Sequence, residues 1–220
     1  MISENNYSVI YSKKLASDVN ALVEGVSSEQ LFILTDEHTK IHCLPILQSE
    51  GAMKNAKVYT MPCGDHYKTI ETVVEIWKFL GENGGTRKSM LINLGGGVVT
   101  DLGGFVANTF KRGIRFINIP TTLLSMVDAA VGGKTGINFN GLKNEIGVIN
   151  PAETVVIYPD FLRSLDTENL LSGYAEMLKH GLLSSEEEMK KLNKFDARKP
   201  DFDLLAELIK TSIEVKANIV

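Results

Sequence analysis

The run Leu91-Ile-Asn-Leu-Gly-Gly-Gly-Val-Val-Thr-Asp101 constrains this chain more than any other segment. Apolar residues lead straight into three consecutive glycines, and an aspartate follows four residues after the last of them. That order reads as a buried strand, a tight turn and the start of a helix. Gly95, Gly96 and Gly97 have no side chains to hold a ligand away from backbone. The helix opening near Val98 offers unpaired N–H groups at a positive dipole end. The spacing is neither the dinucleotide fingerprint GxGxxG nor a P-loop, which ends in Lys-Ser/Thr. A strand-to-helix turn that holds no ligand has the same appearance, so residue chemistry leaves both readings open here.

The rest of the chain repeats the alternation. Strands are expected at Tyr7–Tyr11, Leu31–Thr35, Lys57–Met61, Met90–Leu94, Phe116–Ile119 and Val155–Tyr158. Helices are expected near Lys14–Glu24, Thr39–Glu50, Thr69–Gly81 and Leu102–Asn108. In the third of these, Ile70, Val73, Val74, Trp77 and Leu80 recur at helical spacing. Alternation of this kind predicts an α/β fold with a Rossmann-like parallel sheet covered on both faces. After residue 158 the signals turn helical, with starts at Thr167-Glu168 and Ser184–Glu187 and a last helix over Phe202–Val220. The expected organisation is an α/β domain over residues 1–158 and an α-helical domain over 159–220. That second region stops mid-pattern at Ala217-Asn-Ile-Val220, so it is expected to be incomplete.

Charge and cysteine content narrow the function classes. A formal net charge of −4 provides no basic field for nucleic acid. Cys43 and Cys63 are the two thiols, without CxxC spacing, and indicate a reduced compartment rather than a disulfide framework. The start, Met-Ile-Ser-Glu-Asn-Asn, lacks the pattern of a signal peptide, and no apolar run reaches membrane-spanning length. A cytoplasmic protein is expected, with neither nucleic acid nor membrane as partner.

Four further clusters could carry chemistry. Gly64-Asp-His-Tyr-Lys68 follows a strand, where open α/β sheets bind ligands, but reads equally as a solvated loop. In Pro120–Asp128, Thr121 and Thr122 could bond a ligand or cap the next helix. Asp128, in apolar surroundings, needs a partner or a function. Gly132-Gly-Lys-Thr-Gly136 imitates a P-loop ending, but Asp128 stands where the first glycine belongs; Lys134, Lys143 and Asn144 still suit an anionic, oxygen-rich substrate. Glu176, Lys179 and His180 share a helix face at i, i+3 and i+4, compatible with an ion pair or with part of a metal site.

Taken together, these clusters resemble the 3-dehydroquinate synthase family of sugar phosphate cyclases. The matching runs are GGGVVTDLGGFVANTFKRGIRFINIPTTLLSMVDAAVGGKTGIN, LKNEIG and GYAEMLKHGLL, in order over about residues 60–185. The resemblance implies an enzyme that uses NAD with zinc or cobalt on a small sugar phosphate. It implies that Asp36 and Lys68, with Asp65 nearby, hold the adenosine side of NAD. Gly96, Gly97, Val98 and Asp101 would follow the pyrophosphate and ribose. Thr121, Thr122 and the segment Phe161–Leu165, with Phe161, Leu162, Arg163 and Ser164 foremost, would complete the cofactor site. Asp128, Lys134, Lys143, Asn144 and Lys179 would face the substrate or the nicotinamide end, and Glu176 would ligate the metal. Arg112 would reach a neighbouring subunit's phosphate site, which implies a homodimer.

The family reaction converts 3-deoxy-D-arabino-heptulosonate 7-phosphate to 3-dehydroquinate and phosphate. It proceeds by transient oxidation, phosphate elimination, reduction and aldol closure, with no net consumption of NAD. The chain departs from the family pattern at Gly64-Asp65, usually Gly-Glu, and at Phe139–Asn144, usually His-Pro-Leu-Gly-Lys-Asn. Two zinc-binding histidines of the family belong to a later helical segment that this chain does not contain, and His180 is at neither position. The 220-residue chain alone is therefore expected to be inactive. Three alternatives share parts of the pattern: another sugar phosphate cyclase, a metal-dependent polyol dehydrogenase of the glycerol dehydrogenase type, and a non-catalytic dinucleotide-binding remnant.

Overall fold

Leu31-Phe-Ile-Leu shows how the core is built. Successive side chains of a strand point to opposite faces, and here both faces are buried: Leu31 and Ile33 join one apolar cluster, Phe32 and Leu34 the other. The computed structural model describes residues 8–219. Tyr7, opening the first expected strand, and Val220, closing the last expected helix, lie outside the described residues. Six strands form one parallel sheet: β1 (Ser8–Tyr11), β2 (Leu31–Asp36), β3 (Lys57–Met61), β4 (Met90–Gly95), β5 (Arg115–Pro120) and β8 (Thr154–Ile157). Their spatial order is β1-β8-β5-β4-β2-β3. The chain runs outward from β2 to β3, returns to β4 and then proceeds the other way to β5. The sheet therefore has its topological switch point between β2 and β4.

Helices cover both faces, as the alternation predicts. α4 (Ile70–Glu82) and α5 (Gly97–Thr109) pack on the face of Phe32 and Leu34. α1 (Leu15–Leu22) and the short pair α2 (Glu37–His42) and α3 (Leu44–Leu47) lie toward the other. α6 (Thr167–Ser184), α7 (Glu186–Leu192) and α8 (Phe202–Ile219) contribute Met177, Leu192, Ile209 and Ile213 to that same cluster. One continuous apolar core thus joins the sheet to the helical region.

Several elements differ from expectation for identifiable reasons. The helix expected at Thr39–Glu50 is broken at Cys43, because Pro45 has no N–H to continue the ladder and its ring would strike the preceding turn. α5 starts at Gly97, beside Val98 where the glycine turn puts its opening, and so takes in the turns before Leu102–Asn108 as well. Its Gly103 and Gly104 are accommodated by close packing against Asn93 and Thr135. In α4 the buried residues are Thr72, Val73, Ile76 and Leu80, while Val74 and Trp77 are only partly buried.

An antiparallel hairpin, β6 (Lys134–Phe139) and β7 (Leu142–Ile149), was not expected at all. Its turn is Asn140-Gly141, with φ of 50° and 78°, the two-residue hairpin turn that this dipeptide favours.

A Cβ on Gly103 would stand 2.0 Å from Asn93 Oδ1, and Asn93 cannot retreat without breaking its bond to Asn118. Gly103→Ala is expected to lose about 1–3 kcal/mol of stability despite its better helix propensity, read as a lower urea midpoint at unchanged slope.

Candidate active site

A cleft of about 620 Å³ opens at the carboxyl ends of the strands, over the switch point. β2 delivers Asp36 to it, the loop after β3 delivers Asp65 and Lys68, and β4 delivers Gly96 and Gly97. Val98 and Asp101 come from the first turns of α5, and Thr121 and Thr122 follow β5. Gly96 is the N-cap of α5 and supplies no capping side chain. α2, α6 and α7 are each closed by Asp36, Asp166 or Ser185. The first-turn amides of α5 are thus without a side-chain acceptor at the cleft wall, where an anion would meet them.

Lys68 organises the opposite wall. Its side chain is buried, with Nζ 2.6 Å from Asp101 Oδ2 and 2.5 Å from Asn144 Oδ1. Asn144 adopts a left-handed φ of 54° to reach it. Burial pushes the Asp101 carboxyl above the usual carboxylate value, and Lys68 acts against that rise. Asp65 pairs with exposed Lys143 at 2.9 Å, and this hydrogen bond holds its carboxyl below the usual value.

A second grouping lies where β5 runs into the helices. Ser125–Ala129 forms a π-helical turn, a rare element that often marks functional positions, and it carries Asp128. Lys216 of α8 pairs with Asp128 at 2.5 Å. On α6, Glu176 contacts both Lys179 and the His180 ring, with Nε2 3.3 Å from Oε1. Burial pushes the His180 pKa down, against the attraction of Glu176. Although these two groups lie beside it, Glu176 Oε1 has no well-aligned hydrogen bond and is shut away from solvent. A buried carboxylate oxygen in that condition is what a cation would satisfy. Asp128, Glu176 and His180 each bring a candidate donor atom, mutually within 4.8 Å, and the two carboxylates suit a divalent metal whichever nitrogen of the ring carries its proton.

The cleft wall thus gathers Asp36, Asp65, Lys68, Gly96, Gly97, Val98, Asp101, Thr121, Thr122, Asp128, Asn144, Phe161 and Ser164 from the sequence-predicted set. Others stand elsewhere. Leu162 is buried in the core, and Arg163 pairs with Asp160 while its guanidinium covers the Phe202 ring at 4.7 Å. Lys134 opens β6 as an exposed residue, and Arg112 sits exposed on the turn after α5 with a left-handed φ of 70°. Asp36 also caps α2, accepting from the amides of His38 and Thr39. Thr122 accepts from the Ser125 amide, whereas the buried Thr121 hydroxyl has no partner. Sequence reasoning missed Lys216, whose only signal was its place four residues before the end of a helical run. It also missed Asp166 and Asn169, which line the cleft from the start of α6.

Ligand clefts at the carboxyl edge of a parallel sheet, over a switch point, define a broad class of α/β proteins. Residues 58–172, just over half of the chain, match the family described as 3-dehydroquinate synthase N-terminal. The chain belongs to the 3-dehydroquinate synthase family. It is 49% identical over 212 residues to a 3-dehydroquinate synthase of Parabacteroides distasonis, covering 96% of this chain and 60% of the relative. Among solved structures it is similar to 2-epi-5-epi-valiolone synthase of Streptomyces hygroscopicus with NAD+ and Zn2+ bound. That match has a TM-score of 0.85 at 27% identity, over 99% of this chain and 62% of the other. A 2-deoxy-scyllo-inosose synthase complexed with carbaglucose-6-phosphate, NAD+ and Co2+ shares the fold, with a TM-score of 0.80 at 21% identity over 97% and 60% of the two chains. The chain spans about 60% of the length of these curated and solved relatives. No described helix is long and apolar enough to cross a membrane.

Lys68→Met is expected to cost about 3 kcal/mol at neutral pH, because it leaves the Asp101 carboxylate buried without its cation. The sign with pH follows from the raised Asp101 value. A carboxyl whose pKa is higher in the fold weakens the fold above that value and is neutral to it below the unfolded value, about 3.9. Urea unfolding should therefore show the deficit shrinking as the pH is lowered toward about 4.

Proposed function

We propose that the chain carries the NAD-binding apparatus, and part of the metal and substrate apparatus, of a cytoplasmic, homodimeric 3-dehydroquinate synthase. Its reaction is the conversion of 3-deoxy-D-arabino-heptulosonate 7-phosphate to 3-dehydroquinate and inorganic phosphate, in the shikimate route to aromatic amino acids. On this reading residues 1–158 bind NAD, and residues 159–220 begin the helical unit for metal and substrate. The observation that carries it is the convergence, in one cleft, of the glycine turn, the uncapped α5 terminus, Thr121, Asp128 and the Lys68–Asn144 pair.

When bound, NAD would supply a hydride acceptor and donor, and zinc or cobalt a Lewis acid for the substrate oxygen. The chain's own residues do the rest of the work. Gly96 and Gly97 would offer backbone N–H groups to the diphosphate, with the α5 dipole favouring its charge. Asp36 and Asp101 line the cleft and would accept hydrogen bonds from the ribose hydroxyls. Glu176 of α6 and Asp128 of the π-helical turn would hold the metal. Lys134, Lys143 and Lys179 supply mobile ammonium groups for an anionic substrate, and Asn144 orients it from the hairpin. Neutralising the departing phosphate is the main electrostatic task, and Lys143 and Lys179 perform it by exchanging their carboxylate partners for the phosphate. Arg112 stands exposed, away from the cleft of its own chain, which supports a role across a dimer interface.

In a protein that carries this chain at the full length of its relatives, phosphate release from the heptulosonate phosphate with no net NADH tests the assignment. Steady NADH accumulation from a polyol, without phosphate, would replace it with the dehydrogenase reading. Gly96→Val isolates the glycine turn. Its Cβ would sit 3.1 Å from Thr122 Cγ2, a contact that a small shift relieves, while its methyls would occupy the diphosphate position. Calorimetry should show NAD affinity at least about tenfold weaker, with little change in thermal unfolding. Wild-type NAD affinity in this variant would remove the diphosphate from the glycine turn.

A further inference from the structure

His180 is the buried residue of this region to which the family resemblance gives no role. Its ring is 2% exposed between α6 and α8. Nδ1 lies 2.7 Å from Ser212 Oγ, and Nε2 lies 3.3 Å from Glu176 Oε1. Ser212 is also buried and comes from α8. These neighbours decide where the ring carries its proton. An ionised Glu176 presents only lone pairs, so a bare Nε2 would set lone pair against lone pair. The neutral ring therefore carries its proton on Nε2, the nitrogen that faces Glu176 at 3.3 Å in a contact short of a well-aligned hydrogen bond. Nδ1 is then the acceptor, and the Ser212 hydroxyl donates to it.

We propose that His180 is a positioning residue for Glu176, with Ser212 locking the imidazole so that Nε2–H restrains Oε1 and turns the carboxylate toward Asp128. This rests on the reading of Glu176 as a metal ligand. A free glutamate side chain explores several rotamers, and a ligand that must be ordered on binding loses affinity. Lys179 touches the same oxygen, but its side chain is 56% exposed and makes a loose restraint. His180 is enclosed, and its ring is held at Nδ1 by the buried Ser212 hydroxyl. α8 holds the partner carboxylate as well, since Lys216, one helical turn beyond Ser212, pairs with Asp128. One helix thus fastens both acidic groups of the donor set, one through a histidine and one directly. Hydrogen-bonded supports of this kind set ligand orientation and metal affinity.

Two measurements on the protein test this: ring 15N–1H correlation spectra with and without zinc, and cobalt titration followed by its d–d absorption. The expected tautomer has the proton on Nε2 in both states. Ser212→Ala and His180→Gln should each weaken cobalt binding by about tenfold and alter the absorption, with Ser212→Thr restoring both. A proton on Nδ1, or loss of the Nε2 proton when zinc is added, would overturn the positioning role, the second result by making His180 itself a ligand. Wild-type cobalt affinity and spectrum in Ser212→Ala and His180→Gln would overturn it too. Glu176→Gln separates the two layers. If it abolishes binding, Glu176 is a ligand whatever His180 does. If it binds cobalt like the unsubstituted protein, or if that protein binds none, the metal reading falls and the positioning role with it.

Discussion

The ammonium group of Lys68 is the contact on which the shape of the cleft depends. It joins three segments far apart in sequence: its own loop after β3, Asp101 of α5 and Asn144 of β7. Its carbonyl also accepts from the Asn138 amide of β6. One residue therefore fastens the hairpin to the mouth of the parallel sheet. A buried charge pair is a poor source of stability compared with apolar packing, and burial disfavours the ionised Asp101 here. What the arrangement provides is a unique position. Asn144 accepts a left-handed backbone to complete the contact, which an asparagine does at small cost.

The glycine turn has the complementary character, since its work is done by what is missing. Gly95 cannot be larger, because a Cβ there would lie 2.5 Å from Val99. That closeness lets the chain pass from β4 into α5 with almost no loop, so the helix N-terminus falls at the cleft wall. A longer connection would move those amides away from Thr121 and Thr122, which arrive from β5 at the same height.

Much of this was legible in the sequence because it follows from short-range rules. Strands buried on both faces appear as unbroken apolar runs, and all six expected strands are present over the described residues. The hairpin was not legible, since Gly136 and Gly147 sit opposite each other where alternating side chains would signal strands. Its turn signal, Asn140-Gly141, was there to be used. Of the site, the glycine turn and the carboxylates could be read from spacing and resemblance. The pairings could not: Lys216 meets Asp128 across 88 residues, and Ser212 meets His180 across 32. Such contacts come from how α8 packs on the shared core, which no local pattern encodes. Leu162 and Arg163 show the reverse limit. A motif places a segment near a cofactor, but the turn at Pro159–Ser164 decides which of its side chains face the cleft, and only Phe161 and Ser164 do.

Four lysines around the cleft already have carboxylate partners: Lys68 with Asp101, Lys143 with Asp65, Lys216 with Asp128 and Lys179 with Glu176. A phosphate-bearing ligand must therefore exchange partners rather than meet free cations. Exposure decides which pairs can exchange. Lys143 is 76% exposed, and an exposed pair contributes only about 0–1 kcal/mol, so releasing it to an incoming phosphate costs little. The Lys179 ammonium is also exposed, but its partner Glu176 is largely buried, so this lysine leaves at low cost only when another cation takes its place beside Glu176. Lys68 cannot be released on those terms, because Asp101 would be left buried and alone. The cations thus divide into one that shapes the cleft and others that remain available to a ligand. Each pair also keeps the carboxylate in place for the moment its lysine leaves: Asp65 at the rim, and Glu176 beside Asp128. Anion capture at the lysines and cation capture at the acids then support each other, since each frees the group that the other needs.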